Sequence, residues 1–103
     1  MSEMKIRAKL SGDETTVKCL MSHPMENGQR KDSKTGDLIA AHFIQEVICK
    51  TKDRIVLTAS WNGGVSKNPY LSFKFKGGAV GDPVEIIWTD NQGKTERATA
   101  LIS

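Results

Sequence analysis

The stretch Trp61-Asn62-Gly63-Gly64-Val65-Ser66-Lys67-Asn68-Pro69-Tyr70-Leu71-Ser72-Phe73-Lys74-Phe75-Lys76-Gly77-Gly78 decides how the chain reads. Its first part cannot continue a regular element. Gly63 and Gly64 open backbone angles closed to other residues, while Pro69 fixes its own φ and turns Asn68 away from helix. From Tyr70 the residues alternate without a break. Leu71, Phe73 and Phe75 point one way; Tyr70, Ser72, Lys74 and Lys76 point the other. Gly77 and Gly78 end the run. The pattern predicts a strand with one apolar and one wet face, entered through a constrained loop.

The rest of the chain offers strands to cover that apolar face. Residues 4–10 set Met4, Ile6, Ala8 and Leu10 against Lys5, Arg7 and Lys9, and Ser11-Gly12-Asp13-Glu14 is a turn. Residues 15–22 set Val17, Cys19 and Met21 against Thr16, Lys18, Leu20 and Ser22. After Pro24 the pattern stops, and residues 25–37 predict a loop or ragged hairpin long enough to suggest a function. Residues 42–50 place Phe43, Val47 and Cys49 on one side and Ile44, Glu46, Ile48 and Lys50 on the other. Residues 54–61 give the apolar row Ile55, Leu57, Ala59 and Trp61. Beyond Gly78, Val84, Ile86 and Trp88 alternate with Glu85, Ile87 and Thr89, and the turn at residues 90–93 leads into a last strand over 94–102.

About seven short strands with turn signals between them, and no helical periodicity, predict an all-β immunoglobulin-like antiparallel β-sandwich in one domain over residues 1–103. The usual disulfide between second and sixth strands is excluded because residues 84–89 hold no cysteine. Packing must hold the sandwich. Cys19 and Cys49 are too few and too far apart for a zinc site or a redox pair, and they read as small buried hydrophobes.

The net charge is +3, and the basic residues look spread along the chain among the acids, so no nucleic-acid partner is expected. No apolar run approaches the roughly 20 residues needed to cross a bilayer, so no membrane association is expected. The first residues, Met1-Ser2-Glu3-Met4-Lys5-Ile6-Arg7, contain no apolar h-region, so no signal peptide is expected.

Few residues suggest chemistry. Met21, His23 and Met25 are soft ligands that would suit copper(I), yet His42 is the only other histidine. No Ser-His-Asp set or carboxylate pair can be assembled, and neither glycine pair has the spacing of a phosphate-binding loop. The clearest physical signal is surplus apolar residues on faces that should be wet. With the third and sixth strands side by side, Ile44, Ile48 and Ile87 would form one exposed patch, the mark of a protein interface.

The segments Met21-Ser22-His23-Pro24-Met25-Glu26, Arg30-Lys31-Asp32, Lys34-Thr35-Gly36, Ala41-His42-Phe43-Ile44-Gln45-Glu46-Val47 and Gly64-Val65-Ser66-Lys67-Asn68-Pro69-Tyr70 through Phe75-Lys76-Gly77-Gly78 together resemble the SoxZ family. SoxZ is the small subunit of the SoxYZ sulfur carrier of thiosulfate oxidation, and the resemblance covers nearly the whole chain. It implies an immunoglobulin-like sandwich that pairs with SoxY, whose C-terminal Gly-Gly-Cys-Gly-Gly arm carries sulfur on its cysteine. The final residues here, Ala-Leu-Ile-Ser, are in keeping with a subunit that has no such arm.

The resemblance further implies a subunit without catalysis or cofactor of its own. It would help present the SoxY arm to other Sox enzymes, met transiently, and would reach the periplasm exported together with SoxY. Expected contacts are Ile44, Ile48 and Ile87 on the sheet, with Met25, Arg30, Lys67 and Tyr70 on or beside the loops. Two other readings exist. His23-Pro24-Met25 also resembles superoxide reductases, whose iron needs four histidines and a cysteine that two histidines cannot supply. A copper carrier built on Met21, His23 and Met25 is the other.

Overall fold

The computed structural model describes residues 4–52 and 54–103. Seven strands follow one another: β1 (Met4–Ser11), β2 (Glu14–Met21), β3 (Ile44–Thr51), β4 (Arg54–Ser60), β5 (Tyr70–Lys76), β6 (Pro83–Asp90) and β7 (Thr95–Leu101). All pairings are antiparallel, in a three-stranded sheet β1-β2-β5 and a four-stranded sheet β4-β3-β6-β7. This is the β-sandwich that the alternation predicts, with β3 and β6 side by side. The 25–37 stretch is a ragged hairpin, tied by single bridges Glu26 to His42 and Lys31 to Leu38.

The core is the set of inward side chains. Val17, Cys19 and Met21 from β2 meet Val47 and Cys49 from β3 and Val84, Ile86 and Trp88 from β6, all buried. Leu71, Phe73 and Phe75 pack against them from β5. Full burial of such side chains is worth about 1.5–3 kcal/mol each, enough to hold the sheets together without a cross-link. Cys19 and Cys49 are free and buried, as read from the sequence. Burial pushes the Cys19 thiol up to about 12, with a further push from Cys49, and burial does the same to Cys49. Neither thiol offers a nucleophile at neutral pH.

The constrained close of β5 has a local cause. Gly78 has φ +91°, and a Cβ there would sit 2.6 Å from Thr15 Oγ1 and 3.0 Å from Ile102 Cδ1. Buried Thr15 donates its hydroxyl to the Gly77 carbonyl at 2.7 Å. Any larger residue at 78 would break that closure.

Three expectations need correction. Ile44 is fully buried and does not belong to an outward patch. The β3–β6 register shifts between Ile44 and Glu46, so Ile44 faces Asp90 while Glu46 faces Thr89. The bulge at Gln45 spends one extra residue and turns Ile44 inward. A second irregularity, between Cys49 and Lys50, pairs Lys50 with Ile55 and Cys49 with Leu57. Ile55 is therefore turned out, 56% exposed, and Val56 packs against the core. Lastly, the basic residues that look dispersed in sequence are not dispersed in space. Strand pairing brings Lys5, Arg7, Lys9, Lys18, Lys74 and Lys76 onto one outer sheet face.

Candidate functional site

Two loops meet at one end of the sandwich, one joining β2 to β3 and the other joining β4 to β5. The chain pins them with backbone bonds that the special residues make possible. Asn68 donates its amide to the His23 carbonyl at 2.9 Å, and its side-chain oxygen accepts the His23 amide at 3.0 Å. It does so at φ 51°, a left-handed conformation that asparagine tolerates. Gly63 is the point of closest approach: a Cβ there would lie 2.8 Å from Asn27 Cα. Gly63 thus serves loop-to-loop contact.

Between the loops lies an open cleft of about 620 Å³, with Met25, Glu26 and Arg30 on one wall and Gly63 to Lys67 on the other. Arg30 clamps Glu26, its Nε 3.0 Å from both carboxylate oxygens and its Nη2 against one of them. Those bonds hold the Glu26 carboxyl below the usual carboxylate range. Met25, Arg30 and Lys67, separate in sequence, therefore share one cleft. Tyr70 does not join them. It stands on the outer face of β5 opposite Leu20.

Met25 links the cleft to a buried polar cluster. Its amide donates to His23 Nδ1 at 3.1 Å, and its sulfur accepts the Ile44 amide at 3.3 Å. These bonds hold Met25 at φ 50°, unusual for a side chain of this kind. Because His23 Nδ1 accepts, its proton sits on Nε2, which donates to Asp90 Oδ2 at 3.1 Å. His42 Nε2 donates to the same oxygen at 2.8 Å, and Asp90 Oδ1 accepts the Gln92 and Lys94 amides at 3.0 and 2.9 Å. The His23 ring stands edge-on to Trp88, ring centres 5.1 Å apart.

Burial lowers the His23 imidazole's pKa, the Asp90 bond only partly opposing it. Burial alone would raise the Asp90 carboxyl. Bonds from His23, the Lys94 amide, His42 and the Gln92 amide outweigh it and leave the carboxyl below its ordinary value. The cluster is a neutral imidazole and a carboxylate in a satisfied network.

Two imidazoles and a carboxylate within 4.8 Å of one another are also a possible metal-ligand set. An iron site of four histidines and a cysteine does not fit, since both cysteines lie in the core and both Nε2 protons point at Asp90. The copper reading fares no better in geometry: Met21 is buried in the core, and Met25 and His23 spend their donor atoms on the backbone and on Asp90. Sequence reading missed Asp90, which looks like an ordinary turn residue. Its signal was a second histidine that only the fold brings near His23.

On the sheet, Ile48 of β3 faces Ile87 of β6 directly. Both are half-buried and point outward, flanked by Thr58 on β4 and Arg97 on β7. Two of the three isoleucines expected there are in place.

No curated protein sequence matches this chain. Solved structures of superoxide reductase (neelaredoxin) from Ignicoccus hospitalis superpose on all of this chain and 80% of theirs, with a TM-score of 0.57 at 17% identity. At that identity the likeness shows the fold alone. The family of the sulphur oxidation protein SoxZ matches residues 4–101, nearly the whole sandwich with both loops and the paired isoleucines, and the chain belongs to the SoxZ family.

Proposed function

We propose that the chain is the non-catalytic subunit of a SoxYZ sulfur carrier, which docks SoxY and helps present its cysteine-bearing arm to the enzymes of thiosulfate oxidation. The observation that carries this reading is the Ile48–Ile87 pair, side by side at the centre of the outer face of the four-stranded sheet in a SoxZ-family chain. Adjacent apolar side chains at the centre of a polar rim are how interfaces concentrate binding energy. The cleft supports a second, weaker contact. Arg30, held by Glu26, and Lys67 across from it offer fixed cations to a visiting chain, and Met25 offers an adaptable apolar edge. Tyr70, 61% exposed, is a contact of the same class on the other sheet. The reading includes export to the periplasm in company with SoxY.

The test is Ile48→Asp together with Ile87→Asp, followed by gel filtration with SoxY. A carboxylate forced into a closing apolar contact should weaken the heterodimer strongly enough to deplete its peak at dilute loading. An undiminished heterodimer removes this face as the interface. Purified chain that turned over a sulfur compound unaided would remove the non-catalytic reading as well.

A further inference from the structure

The outer face of the β1-β2-β5 sheet is built in four cross-strand rows: Lys5–Leu20–Tyr70, Arg7–Lys18–Ser72, Lys9–Thr16–Lys74 and Ser11–Glu14–Lys76. It carries six exposed cations and one acid. Among the described residues none of the six takes part in an ion pair. Lys protects sheet edges from pairing with other chains, and that accounts for lysines on the edge strands β1 and β5. It does not account for Lys18. Lys18 lies on the central strand directly opposite Arg7, where like charges destabilise the pair. A repulsion left uncompensated inside the chain is relieved when carboxylates from outside settle over it.

We infer that this face is a docking surface for a second protein that presents an acidic patch, with Leu20 and Tyr70 as its apolar anchor. Strands lie about 4.8 Å apart and alternate residues about 7 Å apart along each strand, so the cations spread over an area suited to a protein surface instead of converging on one small anion. Shallow grooves of about 280 and 310 Å³ flank the Arg7–Lys18 pair and leave room for side chains between the cations. Leu20, 44% exposed, and Tyr70, 61% exposed, stand together in the first row, an exposed apolar pair whose tyrosine is of the residue type that anchors interfaces. Five of the six cations are lysines, point charges without the planar fork that grips phosphate, and Tyr70 is the face's one aromatic. These features favour carboxylates over nucleic acid. Apart from Tyr70, the inference uses none of the residues proposed for contact with SoxY, whose proposed interface is Ile48 and Ile87 on the other sheet.

The test uses the full chain with labelled polyglutamate at low ionic strength, and a single-stranded oligonucleotide of matched charge in a second arm. Polyglutamate should bind, with affinity falling steeply as salt rises. Lys18→Glu with Lys74→Glu should weaken it by about tenfold or more, because each reversal removes an attraction and adds a repulsion. The fold is safe, since Glu at 18 would face Arg7 as an opposite charge. Lys31→Glu with Lys34→Glu, exposed on the hairpin, changes net charge equally and should leave binding nearly intact. Three results would overturn the inference: no binding of polyglutamate, equal loss in the hairpin variant, or tighter binding of the oligonucleotide. The Lys18→Glu, Lys74→Glu variant should still form the SoxY heterodimer, so failure here is distinct from failure of the carrier reading.

Discussion

The outside of the β1-β2-β5 sheet and the outside of the β4-β3-β6-β7 sheet come from strands with the same alternating grammar, yet they differ in how their charges meet. On the first, cation faces cation and the lone acid sits at one end. On the second, charges are matched. Lys50 lies opposite Glu85, and Arg97 approaches Glu85 at 3.8 Å, around an apolar centre of Ile48 and Ile87. A matched face with an apolar centre is suited to lasting contact. An unmatched cationic face is suited to fast, salt-sensitive encounter, because its field reaches beyond contact distance. The proposed carrier subunit, with a permanent companion and passing visitors, would have a use for both.

The contrast depends on a frame that holds both faces in place, and the largest expected effect comes from breaking it. Asp90→Ala leaves two imidazole donors and two amides without their buried acceptor, and should cost about 3–5 kcal/mol in denaturant unfolding. Both faces should fail together. Next in size, Ile48→Asp with Ile87→Asp should weaken SoxY binding on the order of a hundredfold by titration calorimetry, while Lys18→Glu leaves it nearly unchanged. Equal losses from the two faces would end the distinction between them.

Acid should loosen the frame before it alters either face. His23 has its folded value lowered below 6.5, so the unfolded chain binds the proton more readily. The stability this gives is present above pH 6.5 and is lost as pH falls toward and through the folded value. Asp90 is also lowered, from 3.8, and adds a further loss at still lower pH. Melting temperature should therefore decline on acidification from pH 7, and His23→Gln should flatten the upper part of that decline.

The smallest effect is the most diagnostic of the charge contrast. Lys18→Thr should raise stability by about 0.5 kcal/mol by relieving the Arg7 repulsion. Arg97→Ala should lower it by no more than about 0.5 kcal/mol. Added salt should shrink both differences. Opposite signs at low salt that converge at high salt would establish the contrast in solution.

Much of the fold was legible because it is local. Leu71, Phe73 and Phe75 announce a one-faced strand, and the glycines and Pro69 announce the loop before it. Met25, Arg30 and Lys67 could be named from their loops, though not that they share a cleft. Ile44 was misplaced because alternation fails at one residue, Gln45, and nothing in the side chain of a bulge residue advertises it. Asp90 was passed over because it sits in a turn, where aspartate is expected anyway.

The sequence by itself determined the number of strands, their turns and the inward rows of most of them, since a period of two is a property of neighbouring residues. Only the tertiary structure decided that six scattered cations form one face, that Ile44 turns inward, and that two distant histidines share one carboxylate. The reason is physical. Which strand lies beside which, and in what register, follows from hydrogen bonds between segments far apart in the chain, and a single extra residue reverses the facing of everything before it.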